Sequence, residues 1–262
     1  MAVVDFKMDG ELAILTINNP PVNLADDALF VALHEAIDQL GSSNARAALL
    51  RAEGEHFGCG VNVNTTFVGR GADDALPMLQ RGVGDLQRLE RMPIPIICAV
   101  QGLCLAAGLE IALRCDIIIS SSSAQFAQVE QHIGAATYLG GAYLLAERCG
   151  PARARHICFS GDFFRAEEFE RWGIINQVVA EEDLDTVALA YARKVANGPT
   201  KAHAITKQTI RKFLDDGVVA ADTLLLEVGP PLFESHDFVH GVDVMVKHGS
   251  KAFRGLAKFT GQ

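Results

Sequence analysis

The sequence predicts an α/β fold, with a strand-and-helix core over residues 1–180 and a helical region over residues 181–262. Three observations support this. Short apolar runs alternate with amphipathic segments as far as residues 174–179, the pattern of βαβ units. Beyond residue 180, helical periodicities follow one another without intervening strands. The chain has 262 residues, 49% apolar and 21% charged, which suits one large domain or a core with an appendage.

The elements follow in order. Residues 3–6 and 12–17 flank a Met8-Asp9-Gly10-Glu11 turn and read as a β-hairpin. Asn18-Asn19-Pro20-Pro21 breaks the second strand. Asp26 or Asp27 caps a helix that carries Leu29, Leu33, Ile37 and Leu40 on one face and stops at Gly41. Residues 47–51 form a short buried strand. A glycine-rich loop, residues 54–63, comes next, and residues 64–75 read as a polar loop. A helix then carries Leu76, Leu79, Val83, Leu86, Leu89 and Met92, and Pro93 and Pro95 close it. The apolar strand 96–100 enters a small-residue turn that opens a helix ending near Arg114. Residues 116–120 form another apolar strand, and Ser120 to Ser123 read as a polar loop. The later helical patterns cover residues 184–196, 200–214, 219–232 and about 238–246.

Composition narrows the function. A net charge of −9 argues against general nucleic-acid binding, which needs a basic face. Local lysines or arginines still suffice for an anionic ligand. The cysteines at 59, 98, 104, 115, 149 and 158 contain no C-x-x-C pair and mostly sit in apolar runs. They read as reduced thiols of a cytoplasmic protein. No signal peptide and no apolar span of membrane length is present.

Glu110 stands out. Its neighbours are Leu109, Ile111, Ala112 and Leu113, so it lies on a helix with little polar face. A carboxylate in such a place is paired or put to use, because an isolated buried charge is costly. The Ala106-Ala107-Gly108 run before it leaves the N–H groups of the helix start unobstructed, and these favour an anion. A carboxyl beside anion-stabilising backbone suits chemistry on a carbonyl whose oxygen gains negative charge. The plainer alternative is a buried or interfacial salt bridge.

Residues Gln101 to Asp116, with Gly102, Gly108, Glu110, Ala112, Cys115 and Asp116 at the matching places, resemble the Asn-Gly-x-Ala-x-Gly-Gly-Gly-x-Glu-Leu-Ala-x-x-Cys-Asp run of the crotonase (enoyl-CoA hydratase/isomerase) family. Phe126-Ala127-Gln128-Val129-Glu130 resembles its Phe-x-x-Pro-Glu block. Asn19 to Leu24, Phe57 to Val63, Ser160-Gly161-Asp162, Ala166-Glu167-Glu168 and Trp172 to Val179 resemble further family segments, so the likeness spans nearly the whole chain. It implies a spiral of ββα units with a helical C-terminal region used for trimerisation.

The resemblance also implies a chemistry. An acyl-CoA thioester would bind with its carbonyl held by the backbone N–H groups of Val61 and Ala107. Glu110 and Glu130 would handle one water, adding it across the 2,3 double bond of an enoyl-CoA to give a 3-hydroxyacyl-CoA. Val22, Cys59, Gly60, Asn62, Val63, Ala106 and Tyr138 would line the substrate site. No metal and no separate cofactor is implied, since coenzyme A is part of the substrate. The partner expected is another copy of the chain, as a homotrimer or dimer of trimers, with no nucleic acid and no membrane. A double-bond isomerase using Glu130 as the shuttling base, and a catalytically weak acyl-CoA-binding protein, are the alternatives. The chain departs from the family run at Thr137, Val129 and Asn62, and Tyr138 stands where a glycine N–H usually holds the water. His236 and His240 read as a solvated helix face, with no third metal ligand evident. His132 is either support for the site or surface cover.

Overall fold

A computed structural model describes residues 3–252 and 255–262. Strands β1 (Val4–Asp9) and β2 (Leu12–Ile17) form the expected hairpin, and β1 continues past Phe6 because pairing runs to Asp9 opposite Leu12. Helix α1 (Asp27–Ser42) starts at the Asp26 cap, whose Oδ1 accepts the Leu29 N–H at 2.9 Å. Strands β3 (Ala47–Ala52) and β4 (Gly58–Cys59) follow. Residues 64–75 are partly helical, not a plain loop. α2 (Val63–Thr66) is one turn, and α3 (Ala72–Glu90) begins ahead of its apolar stripe. The Gly71 N–H is taken by Asp74 Oδ2 at 3.0 Å, and Asp73 and Asp74 lie in the first turn, where the helix dipole favours acids.

Next come β5 (Ile96–Val100), β6 (Leu103–Leu105), α4 (Ala107–Ala112), β7 (Ile117–Ser121) and β8 (Gln125–Ala127). Ser120 and Ser121 are not in a polar loop. Both are buried in β7, where a later strand pairs with them and Ser120 Oγ donates to the Ser121 carbonyl at 3.0 Å. A 3₁₀ turn (Glu130–Ile133) precedes α5 (Gly141–Cys149), α6 (Pro151–Ser160), β9 (Phe164–Arg165), α7 (Ala166–Arg171) and β10 (Gln177–Val179). The last helices are α8 (Leu184–Ala196), α9 (Thr200–Asp216), α10 (Val218–Val228) and α11 (His236–His248). The helix expected to reach residue 232 stops at Val228, because Pro230 and Pro231 cannot continue it and turn the chain into a 3₁₀ segment.

Two sheets result. The larger has the order β1-β2-β3-β5-β7-β10 and is parallel from β2 onward; the smaller has the order β4-β6-β8-β9. Each turn of the chain lays one strand in the large sheet, one in the small sheet, and then a helix. β3 leads to β4, β5 to β6, and β7 to β8, which is the expected ββα spiral.

Both faces of the large sheet are covered, which explains its unbroken apolar strands. Side chains alternate between faces along each strand. Ala48, Leu50, Ile96 and Cys98 join Leu29, Leu33, Ile37, Leu86 and Leu89 from α1 and α3 in the main core. Ala47, Leu49, Ile97 and Ala99 pack beneath α8 against Leu184, Ala188, Ala192 and Ala196. In contrast, α9 and α10 bury no residue, and Val219 and Leu226 are 80% and 78% exposed. No helix among the described residues is long and apolar enough to cross a membrane. The cysteines are all free thiols; Cys98, Cys104, Cys115 and Cys149 are buried, while Cys59 and Cys158 are half-buried.

The start of α4 lies directly on β4. A methyl group at Gly108 would sit 2.4 Å from the Gly58 carbonyl oxygen, so only glycine permits this contact. Gly108→Ala is therefore expected to force the two backbones apart and to destabilise the fold by about 1–3 kcal/mol, the usual cost of overpacking. Urea unfolding of the variant checks this; an unchanged midpoint would contradict it.

Candidate active site

The three small-sheet strands β4, β6 and β8 run parallel, with Cys59 opposite Leu105 and Leu105 opposite Ala127. Their C-terminal ends therefore lie side by side. Val61 follows β4, Ala106 and Ala107 follow β6, and Gln128 and Glu130 follow β8. All except Gln128 line one cavity of about 550 Å³.

The N–H groups of Val61 and Ala107 are held ready. Ala25 bonds to the residues on either side of Val61: its N–H donates to the Gly60 carbonyl at 2.8 Å and its carbonyl accepts from Asn62 at 3.0 Å. In such a parallel bridge the N–H of Val61 itself turns away from Ala25. Ala107 is the first residue of α4, so its N–H has no acceptor within the helix. Among the described residues, neither N–H has a hydrogen-bond partner. The two segments are in close contact, because a methyl group at Gly60 would lie 3.2 Å from Ala106 Cβ. Gly60 and Ala106 both take positive φ, +86° and +48°. For Ala106 that is a strained conformation for an L-residue, fixed by its N–H bond to the Ala127 carbonyl at 2.9 Å.

Glu110 is 2% exposed. Its Oε1 accepts N–H bonds from Leu139 and Gly141, each at 2.8 Å. Thus the backbone entering α5 holds the carboxylate, and the remaining oxygen is left for the cavity that Glu110 lines. Burial raises its pKa; the backbone N–H groups and Arg114 pull the other way. Gly141 must lack a side chain, since a methyl group there would come within 3.2 Å of Glu110 Cγ and 2.3 Å of the Gln128 amide.

Glu130 opens the 3₁₀ turn on the facing wall. Burial pushes its carboxyl up to about 7, with the Glu110 charge adding to the rise. Gln128 is completely buried, and with its amide oriented to satisfy its partners the nitrogen donates to both Glu130 oxygens, at 2.8 and 2.9 Å. That donation favours the ionised form and works against the rise. His132 supports this turn rather than the cavity: its Nε2–H donates to the Gly161 carbonyl at 3.2 Å, and Gln131 Nε2 donates to its Nδ1 at 2.9 Å.

Of the residues implied by the resemblance, Cys59, Gly60, Val61, Val63, Ala106, Ala107, Glu110, Glu130 and Tyr138 line the cavity. Val22 and Asn62 stand off its wall. The Val22 carbonyl instead accepts the Cys59 N–H at 3.2 Å and steadies the loop, and Asn62 occupies the cap position of α2. Burial raises the Cys59 thiol pKa. Tyr138 meets Phe67 edge to face, with centroids 6.4 Å apart. Phe30, Phe67, Leu79 and Ile133 also form the wall, and no sequence motif pointed to them. Gln128 was hidden at an unspecified position of its motif; the only signal was a polar residue inside an apolar run. His236 and His240 stack on each other at 5.9 Å, and no metal-holding cluster exists among the described residues.

Comparison with known proteins gives the family and agrees with the fold. The Enoyl-CoA hydratase/isomerase family profile matches residues 7–255. The chain belongs to that family, the crotonases, whose members act on acyl-CoA thioesters. It is 31% identical over 261 residues to 1,2-epoxyphenylacetyl-CoA isomerase of Escherichia coli, covering 95% of this chain and 94% of that protein. It is 32% identical over 213 residues to a Mycobacterium tuberculosis protein named a probable enoyl-CoA hydratase, covering 80% of each. The solved structure of enoyl-CoA hydratase subunit I from Geobacillus kaustophilus superposes with a TM-score of 0.91 at 26% identity, covering 99% of this chain and 98% of that one.

The Glu130 carboxyl has a consequence for stability. Its pKa is about 7 in the folded chain against an ordinary 4.5. Between those values the unfolded chain loses its proton first, so this group makes the fold less stable as pH rises through the window. Glu130→Gln cannot ionise. Its melting temperature is expected to gain on the wild type from about pH 5 to about pH 7.5 and then level off. Thermal melts at stepped pH measure this, and a difference independent of pH would contradict the assignment.

Proposed function

We propose that this protein hydrates the 2,3 double bond of an enoyl-CoA. The observation that carries the reading is two carboxyl groups of raised pKa on one cavity beside two unpartnered backbone N–H groups. In this reading the thioester oxygen accepts from Val61 and Ala107. Water lies between Glu110 and Glu130. Glu110, steadied in its ionised form by two N–H bonds, takes a proton from the water as its oxygen bonds to the β-carbon. The π electrons move to the thioester oxygen, where the N–H pair stabilises the charge. Glu130, half protonated near neutral pH, delivers a proton to the α-carbon.

The cavity wall suits an apolar acyl group. Phe67, Met78, Leu79 and Tyr138 are shared with a second hollow of about 500 Å³, which offers room beyond a four-carbon chain. Purified protein given crotonyl-CoA and a longer 2-enoyl-CoA should consume both, the longer one more efficiently, as followed by loss of enoyl absorbance. Glu110→Gln and Glu130→Gln should each lower turnover by on the order of 10²–10⁴ with acyl-CoA binding nearly unchanged. Wild-type turnover in both variants would sink the reading. The family covers isomerases as well as hydratases, which supports a second one, double-bond migration through Glu130. In that case the product keeps its double bond at a new position, and Glu110→Gln remains active.

The exposed apolar residues of the C-terminal helices support assembly as a homotrimer or a dimer of trimers. Ile210, Val219, Leu226, Phe233 and Val246 are 55% to 80% exposed, and apolar surface left uncovered in this way marks an interaction site when it is contiguous. Analytical ultracentrifugation should give a trimer or hexamer at micromolar concentration; a stable species of 28.1 kDa would contradict this.

A further inference from the structure

Glu110 and Arg114 lie one helical turn apart, the spacing at which an acid and a base on a helix surface normally pair. Among the described residues no ion pair joins them. Both reach the same stretch of backbone instead. Leu139 donates its N–H to Glu110 Oε1 at 2.8 Å, and its carbonyl accepts from Arg114 Nη2 at 2.9 Å. The peptide segment that cradles the carboxylate is thus clamped from both sides by α4 and the residues just after it.

The clamp extends outward. Arg114 Nη2 also donates to Tyr143 Oη at 2.9 Å, and Nη1 donates to Glu90 Oε2 at 2.5 Å. Gly140 makes room for the guanidinium, since a methyl group there would sit 2.7 Å from Nη2. Glu90, at the end of α3, accepts a second bond from Arg211 Nη1 at 2.8 Å. Arg211 belongs to α9 and is also paired with Asp215 at 2.7 Å. A continuous chain of charge-assisted bonds therefore runs from a C-terminal helix to the Glu110 cradle.

Stability alone explains this arrangement poorly. The Arg114 side chain is 3% exposed, and its Nε is buried without a hydrogen-bond partner. A buried orphan donor costs free energy. A buried ion pair can often be exchanged for apolar side chains at no loss.

We propose that Arg114 is a positioning residue for Glu110, completed by Glu90 and by Arg211 of α9, so that the C-terminal helices help to set the geometry and charge state of the carboxylate. This rests on the reading of Glu110 as the base that activates water. Few titratable groups bear on Glu110: Arg114 from its own segment, Glu130 from the 3₁₀ turn, and Cys158 from α6, whose thiol burial pushes up to about 11. Tyr143, Glu147, Arg148 and Cys149 on α5, His132 on the 3₁₀ turn, Arg153, Arg155 and His156 on α6, Cys59 on β4 and Cys104 on β6 complete the titratable groups on the elements around it. Arg148 spends its guanidinium on the carbonyls of Leu113, Cys115 and Ile174, so of these cations it is Arg114 that bonds the cradle itself. Losing that cation removes support for ionised Glu110, so its proton should leave at higher pH.

The test is a carbon-13 NMR titration of full-length protein labelled at the glutamate carboxyl carbons. The Glu110 signal is assigned by its absence in Glu110→Gln. In Arg114→Met it should titrate at higher pH than in the wild type, and in Arg114→Lys, which keeps the charge, it should return toward the wild-type curve. Turnover of a 2-enoyl-CoA by Arg114→Met should fall by on the order of 10²-fold with KM little changed, the effect of a displaced catalytic group. Arg211→Gln alters a partly exposed residue and should shift the signal in the same direction by less. It decides the question if Arg114→Met fails to fold. An unmoved Glu110 titration in folded Arg114→Met, or in Arg211→Gln alone if the former is unfolded, would overturn the proposal. A shifted titration in a protein that hydrates no enoyl-CoA would refute the hydratase reading and leave the role of Arg114 standing.

Discussion

The bond between Glu110 Oε1 and the N–H groups of Leu139 and Gly141 is the interaction on which the rest of the site depends. A carboxylate at 2% exposure has lost its hydration, and an unpaired one would take up a proton or force the structure open. Two backbone donors replace the lost water. They are fixed in direction because Arg114 holds the carbonyl of Leu139, the residue that supplies one N–H, and Gly141, which supplies the other, begins α5. The same bonds tie α4 to α5 and bring Gly141 close to Gln128, which in turn holds Glu130. Both carboxyl groups therefore stand on one connected set of contacts.

The glycines around them are steric requirements of close approach more than of flexibility. Gly108 lets α4 rest on the β4 backbone, and Gly141 lets α5 begin against Gln128 and Glu110. At Gly60 and Gly140 the backbone angle itself, φ +86° and +115°, is also outside the range an L-residue adopts readily. Ala106 takes such an angle without being glycine. The small sheet holds it there, since its N–H belongs to the pairing between β6 and β8.

Much of this was legible in the sequence. The residues the family resemblance pointed to, Gly60, Val61, Ala106, Ala107, Glu110 and Glu130, line one cavity, because each is fixed by local backbone geometry within a few residues of a strand end. The helix cap at Asp26 was equally local, whereas the apolar run to residue 232 masked the break at Pro230. What escaped depends on contacts between distant segments. Ser120 and Ser121 look like loop residues until β10 pairs with them. Phe67 looked like part of a polar loop until α2 turned it toward Tyr138. Arg114 has no motif at all; its meaning comes from Leu139, Glu90 and Arg211, up to 97 positions away in sequence. The lining assignments of Val22 and Asn62 went astray because loop residues adjacent in sequence need not face the same way.

The parallel ends of β4, β6 and β8 have a further consequence for how such a protein can diverge. Each spiral turn delivers a separate component: one N–H after β4, another N–H with Glu110 after β6, and Glu130 after β8. The components share a cavity but not a loop. A lineage can therefore rewrite the segment after β8, exchanging one proton-handling group for another or for a bulky side chain, while the N–H pair that would polarise the carbonyl is inherited intact. Division of labour among repeating units makes new reactions on one type of thioester accessible by small, separable steps.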